Sequence, residues 1–390
     1  MAPKHDQSFD SQQVEVTLAT PVGRGAIATL EVYGALACDK VSKFFYPAFG
    51  RPFKVSPVGR IVFGRWIDAQ DAGEELVVCR RSSSLVEINC HGGRYAADRI
   101  MRTLGSQGCL ERDWKDWLVD HESDLIAAEA RIDLASARTA RSAAILLDQY
   151  RGALRTTIER TISLLESHRN DEVESELRRL LKYSNLGLHL IHPWQVILAG
   201  RANVGKSSLI NAILGYDRSI VFDQPGTTRD VVTAHTALDG WPIELSDTAG
   251  FRHSEDSIEE IGLEQARCKI ERADLVVLVF EAHQCWSKED QEIYDNYADA
   301  LLVHNKTDLS SETQGRPTGI LASAKTGHGI TQIVDAITCR LIPDVPPSAA
   351  AVPFRKRQIN EVKSALNAIE SCELPSAISS LRSVLQHSLR

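Results

Sequence analysis

Gly200-Arg201-Ala202-Asn203-Val204-Gly205-Lys206-Ser207 follows the apolar run Val196-Ile197-Leu198-Ala199 and opens a helical stretch at Leu209. A strand, a glycine-rich turn carrying a lysine and a hydroxyl residue, and a helix in that order make a P-loop. Its glycines let the backbone fold so that N–H groups from Asn203, Val204 and Gly205 through Ser208 face a phosphate. Lys206 adds a point charge near the β and γ oxygens, and Ser207 offers a hydroxyl to Mg²⁺.

Working outward, apolar runs alternate with helical stretches: Ile243-Glu244-Leu245, Leu275-Val276-Val277-Leu278-Val279-Phe280, Leu301-Leu302-Val303 and Ile320-Leu321-Ala322. Strands this apolar are buried on both faces, which predicts a parallel sheet covered by helices. Ligands of such a sheet sit at the carboxyl ends of its strands. Asn305-Lys306-Thr307-Asp308 stands at one such end. A carboxylate there accepts both N1–H and the exocyclic amino group of guanine, a pair of donors that adenine lacks. Ser323-Ala324-Lys325 closes the next strand and supports the base through backbone N–H and the Lys325 stem.

Between these lie Gly226-Thr227-Thr228-Arg229-Asp230 and Asp247-Thr248-Ala249-Gly250. Asp247 reads as the carboxylate that holds Mg²⁺ through its shell, and Gly250 leaves an N–H for the γ-phosphate. Loss of that phosphate releases both loops. Phe251 follows Gly250, where a glutamine could have oriented water, so the water is aligned by another group. The reaction read from these motifs is hydrolysis of GTP to GDP and phosphate.

The rest of the chain frames this domain. Its 390 residues predict two or three domains. Hydrophobic residues at 43% and charged residues at 25% exclude a disordered or fibrous chain. A net charge of −8 argues against a general nucleic-acid coat. The eight cysteines include no Cys-x-x-Cys pair, so neither a zinc site nor a disulfide framework is expected. No apolar run approaches the ~18 residues of a membrane span, and the cytoplasm is the expected address. Short β-type runs (Val14–Leu18, Ala26–Val32, Arg60–Gly64, Leu85–Asn89) predict a small α+β domain over 1–115. Apolar residues three or four apart predict helices over 116–190, and again after the prolines at 343, 346 and 347. The expected fold is α/β. A P-loop GTPase domain, 191–343, is inserted in a helical domain whose shortened second part is 344–390, and the small α+β domain precedes both. Arg355-Lys356-Arg357 reads as an RNA-phosphate contact or, at least as readily, a solvated helix start; Trp114 and Trp117 read as anchors of the helical core.

The order and wording of these motifs resemble the MnmE/TrmE family of tRNA-modification GTPases. The resemblance runs from Thr20-Pro21-Val22-Gly23-Arg24-Gly25 and Glu87-Ile88-Asn89-Cys90-His91-Gly92-Gly93 to Phe354-Arg355-Lys356-Arg357. It implies a K⁺ ion beside the phosphates in place of an arginine finger, with Asn203, Thr227 and the carbonyls of Phe222 and Gln224 as ligands. It implies Mg²⁺ on Ser207 and Thr228, and Glu259 as the carboxylate that orients water. It also implies a homodimer built on the N-terminal domain, a flavoprotein partner of the MnmG/GidA type, tRNA as the modified molecule, and no membrane.

Two departures accompany the resemblance. The chain closes with Leu385-Gln386-His387-Ser388-Leu389-Arg390 where the family carries Cys-x-Gly-Lys. The N-terminal domain of the family binds formyl-tetrahydrofolate, yet a family arginine is matched by Glu31 and a family lysine by Glu122. These changes predict a domain that dimerises without folate. They also keep open a second reading, a GTP-driven regulatory or assembly switch that has lost modification chemistry.

Overall fold

The structure, a computed structural model, describes residues 13–20, 25–68, 73–122, 124–216, 219–221, 233–247, 270–309 and 315–386. The chain divides into two compact units, Met1–Ser123 and Asp124–Arg390.

In the first unit, alternation of apolar and polar residues on the central strands gives the sheet a core face. On β2 (Ile27–Tyr33), Ala28, Leu30 and Val32 point inward, and Thr29 and Glu31 lie on the opposite face. β6 (Leu85–His91) repeats the pattern with Val86, Ile88 and Cys90 inward. Five further strands, β1 (Val14–Leu18), β3 (Phe45–Pro47), β4 (Ile61–Trp66), β5 (Glu74–Arg80) and β7 (Cys109–Glu111), complete the order β3-β4-β5-β6-β2-β1-β7. All neighbours are antiparallel except β1 and β7. Helices α1 (Ala37–Ser42) and α2 (Arg94–Gly105) contribute Val41, Ile100 and Leu104 to the core with Leu30, Ile88 and Trp66. A third helix, α3 (Trp114–His121), is capped by the Asp113 carboxylate, which accepts from the Lys115 N–H. Trp117 stacks on His121 with ring centroids 4.4 Å apart. The tryptophan thus anchors the first unit and not the helical core, because α3 ends before the chain enters the second unit.

The second unit has a sheet of different character. Its order is β14-β13-β12-β8-β11-β10-β9, from β8 (Trp194–Ala199), β9 (Ser219–Val221), β10 (Thr233–Leu238), β11 (Trp241–Asp247), β12 (Leu275–Glu281), β13 (Leu301–Asn305) and β14 (Ile320–Leu321). The run from β14 to β11 is parallel, and β10 and β9 are antiparallel additions. Every residue of β13 and nearly every residue of β8 and β12 is buried, as expected of strands covered on both faces.

Helices α4 (Leu125–Leu134), α5 (Ala140–Tyr150), α6 (Ala153–Glu166), α7 (Asn170–Lys182) and α8 (Ser184–Leu188) precede this sheet. Around it lie α9 (Lys206–Leu214), α10 (Lys288–Asp295) and α11 (Ile330–Leu341); α12 (Lys356–Glu370) and α13 (Leu374–Leu385) follow. The last two return to the first group: Val362 of α12 and Leu381 of α13 share one apolar cluster with Leu165, Leu177 and Leu180. The connecting segment is pinned by buried Gln149, whose amide donates to Ala350 O (3.0 Å) and accepts from Val352 N (3.1 Å).

Arg355 and Arg357 belong to this packing. Arg355 forks onto Asp133 at 3.0 and 2.7 Å, and Arg357 meets Glu129 at 3.0 Å while donating to the Ser383 carbonyl. Gln358, fully buried, donates to the same Glu129 at 2.7 Å. Burial pushes the Asp133 carboxyl above its ordinary value, and the hydrogen bonds from Arg355 oppose that rise. Lys356, between the two arginines, is exposed. Neither arginine is a free phosphate contact or a solvated residue of the helix start, which corrects both readings for Arg355 and Arg357. Both are spent on joining α12 to α4.

Candidate functional site

The site gathers at the carboxyl ends of β8, β11, β12 and β13. At the phosphate end, Gly200 adopts φ +144, and a Cβ there would lie 2.3 Å from the Val279 carbonyl. Gly205 adopts φ +93, and a Cβ would lie 2.5 Å from Asn305 Nδ2. Only glycine permits both the turn and the approach to the neighbouring strands. Gly205 is also the N-cap of α9 and supplies no side-chain cap, so the first N–H groups of that helix are open to an anion. Buried Lys206 curls back to donate to the carbonyls of Gly200 (3.1 Å) and Arg201 (2.8 Å). The Ser207 hydroxyl donates to Asp247 Oδ2, bringing the hydroxyl after the lysine onto the carboxylate that ends β11. A hydroxyl and a carboxylate oxygen side by side are a hard donor pair suited to Mg²⁺. Asn203 is exposed and holds φ +63, and Ser208, in the first turn of α9, is exposed as well.

The base end is built from two adjacent strand ends. Asn305 is 1% exposed and ties three segments together. Its Nδ2 donates to Val204 O (2.9 Å), and its Oδ1 accepts from Ala324 N (3.1 Å). The exposed Asp308 carboxylate accepts from the buried Ser323 hydroxyl at 2.7 Å. That hydrogen bond, helped by the positive charge of Lys325, holds the Asp308 carboxyl below its ordinary value. The group is therefore an anion across the neutral range, an acceptor for two N–H donors. Lys306, at φ +65, reaches back to donate to Asn203 O at 2.6 Å.

Asn203, Val204, Gly205, Lys206, Ser207, Asp247, Asn305, Lys306, Asp308, Ser323 and Ala324 thus meet in one region, with Lys325 adjoining it. Phe222, Gln224, Thr227, Thr228, Gly250 and Glu259 lie outside the described residues. Sequence reading misses Glu281, the last residue of β12, whose carboxylate meets Lys306. Its signal is an acid closing an otherwise apolar parallel strand. Among the described residues no group of three or more His, Cys, Asp and Glu side chains is arranged to hold a metal. Cys90 is a buried strand residue whose thiol burial pushes up to about 11.

The first unit carries a different surface. Register places Glu31 of β2 directly opposite Glu87 of β6, on the face away from the core. Glu87 accepts from Asn89 Nδ2 at 2.9 Å and lies 3.4 Å from Arg81. Buried Glu15, on β1, meets Arg112 at 3.2 Å and His121 at 3.8 Å. Farther along the sheet, Tyr46, Ile61 and Phe63 of β3 and β4 are exposed, as is Phe49 just beyond.

A family model described as 50S ribosome-binding GTPase matches residues 195–306. The tRNA modification GTPase MnmE of Geobacillus thermodenitrificans is 31% identical over 370 residues, spanning 82% of this chain and 80% of that protein. Its counterpart in Geobacillus kaustophilus is 33% identical over 333 residues, spanning 75% and 72%. The solved G domain of the T. maritima FeoB iron transporter is 27% identical and covers 38% of this chain and 99% of that one, with a TM-score of 0.29.

Proposed function

The chain belongs to the MnmE tRNA modification GTPases, and from that premise we propose how its residues divide the work. It hydrolyses GTP and acts in tRNA modification. The observation that carries the site assignment is that Lys206, Ser207 and Asp247 share one edge of the sheet with Asn305, Asp308 and Ser323. Lys206 and the α9 N–H groups cradle the phosphates. Asp308 accepts from guanine, with Ser323 fixing its carboxylate and Ala324 and Lys325 lining the same edge. Gly250 supplies an N–H to the γ-phosphate, and Glu259 orients the attacking water.

Ser207 and Asp247 would hold Mg²⁺, with Thr228 as a further ligand. Asn203, Thr227 and the carbonyls of Phe222 and Gln224 would hold K⁺. Bound there, the two ions offset negative charge on the phosphate oxygens. Exposed Asn203, within the phosphate loop, is the one member of the K⁺ set among the described residues. Turnover in KCl well above that in NaCl supports the K⁺ assignment; equal rates overturn it.

The first unit fits a dimerisation role better than a folate site. Exposed Ile61 (71%) and Phe49 (88%), with Tyr46 and Phe63, are the apolar surface that a second copy would cover. Glu31 and Glu122 are anions where the family carries an arginine and a lysine, while Glu87 keeps the family's acidic contact. Each like-charge approach costs ~1–4 kcal/mol at effective dielectrics of 80 to 20. The reversed charge sign at both positions speaks against a folate site, and micromolar binding by calorimetry would contradict this. A flavoprotein of the MnmG type as partner, tRNA as the target and a cytoplasmic address complete the reading. No helix among the described residues is long and apolar enough to cross a membrane. Unchanged wobble uridines, by mass spectrometry, in cells lacking the protein would contradict its place in tRNA modification.

A further inference from the structure

Lys306 bridges two parts of the site that recognise different ends of a nucleotide, and its position depends on a residue outside every motif. Its ammonium donates to the Asn203 carbonyl in the phosphate loop at 2.6 Å, and its backbone sits at φ +65, a conformation that residues other than glycine seldom take. A lysine stem is flexible and loses much rotamer entropy when fixed, so one acceptor holds it weakly. The second acceptor is Glu281 Oε1.

Glu281 is built for that contact. It ends β12 and lies in register with Asn305, the residue before Lys306, and Ala282 N donates to Asn305 O at 2.7 Å. Its side chain is only 8% exposed, so its charge is costly without a partner. Oε1 faces Lys306, whereas Oε2 accepts from Gln284 and lies 3.6 Å from His283 Nε2. Arg316 grips the main chain from behind, donating to Glu281 O at 3.0 Å and to Gln284 O. Both carboxylate oxygens and the backbone are thereby held in place. Among the described residues, the cation that neutralises Oε1 is the lysine that ties the base turn to the phosphate loop.

We infer that Glu281 is a positioning residue for guanine-nucleotide binding, acting by holding Lys306 against the phosphate loop. The inference rests on the nucleotide site proposed above. Glu281→Gln keeps the shape and removes the charge. In the full-length chain it raises the KM for GTP and the dissociation rate of mant-GDP by about tenfold, with the loss confined largely to KM. Lys306→Met does the same. The double variant is no worse than Lys306→Met alone, because Glu281 acts through that lysine. Glu281→Asp, which keeps the charge on a shorter stem, falls between wild type and Gln. Effects of Glu281→Gln and Lys306→Met that multiply, or a Glu281→Gln variant with wild-type KM and dissociation rate, would overturn the inference while leaving the site intact. A wild-type chain that binds no mant-GDP would overturn the site and the inference together.

Discussion

The two sheets use their strands in opposite ways. In the second unit the parallel strands are buried on both faces, so polar chemistry has nowhere to go but their ends, where Lys206, Asp247, Asn305 and Asp308 collect. In the first unit one face of β2 and β6 is core and the other carries polar residues, so chemistry spreads along the strands as Glu31, Glu87 and Asn89. Function at strand ends is written in contiguous motifs. Function on a face is assembled by register from residues distant in sequence.

The contrast can be broken by substitution. The largest effect is expected from Lys206→Ala, which should lower GTP turnover by about 10²–10³-fold, the scale of removing one preorganised donor to a charged transition state. Its melting temperature should stay near wild type. Retained turnover would mean that the strand-end cluster is not where the chemistry occurs. Next comes Leu30→Ala in the core of the first unit, at about 2–5 kcal/mol of stability by urea unfolding. Mant-GDP affinity should survive it, and its loss would deny the division of labour between the sheets.

A smaller cost, about 1–3 kcal/mol, is expected from Arg355→Ala. It leaves buried Asp133 without its forked partner, although Arg355 itself is a third exposed and screened by water. A wild-type unfolding midpoint would show that the α4–α12 junction does not depend on the pair. The smallest effect is a pH slope. Burial holds the His304 imidazole below its ordinary value, and its Nε2 faces the Pro317 carbonyl at 2.9 Å. Unfolded chain takes up a proton near pH 6.5 that the folded strand resists, so stability is lost as pH falls through that range. The melting temperature of His304→Asn should fall less than that of wild type between pH 7.5 and 5.5; identical slopes would remove His304 from the account.

The same contrast governs which features are legible in the amino-acid sequence. The phosphate loop, the Asn305–Asp308 turn and the Ser323–Lys325 turn can be read directly because backbone geometry and ligand chemistry both constrain short contiguous stretches. Two-sided burial makes β8, β12 and β13 visible as unbroken apolar runs. β5 and β10 escape notice, since Glu74-Glu75 and Thr233-Ala234-His235 dilute the β pattern at their starts. Pairings that depend on distant register leave no local trace: Glu31 with Glu87, Glu281 with Lys306, and Arg355 with Asp133. The last of these alters an interpretation, because a basic tripeptide looks the same whether it faces RNA phosphates or buried carboxylates.

The most direct test of guanine recognition at these strand ends is the nucleotide preference of Asp308→Asn. Replacing the acceptor-only carboxylate by an amide that both donates and accepts should weaken GTP binding and favour XTP, measured by competition against mant-GDP. A variant that still prefers GTP over XTP to the wild-type degree would contradict the account.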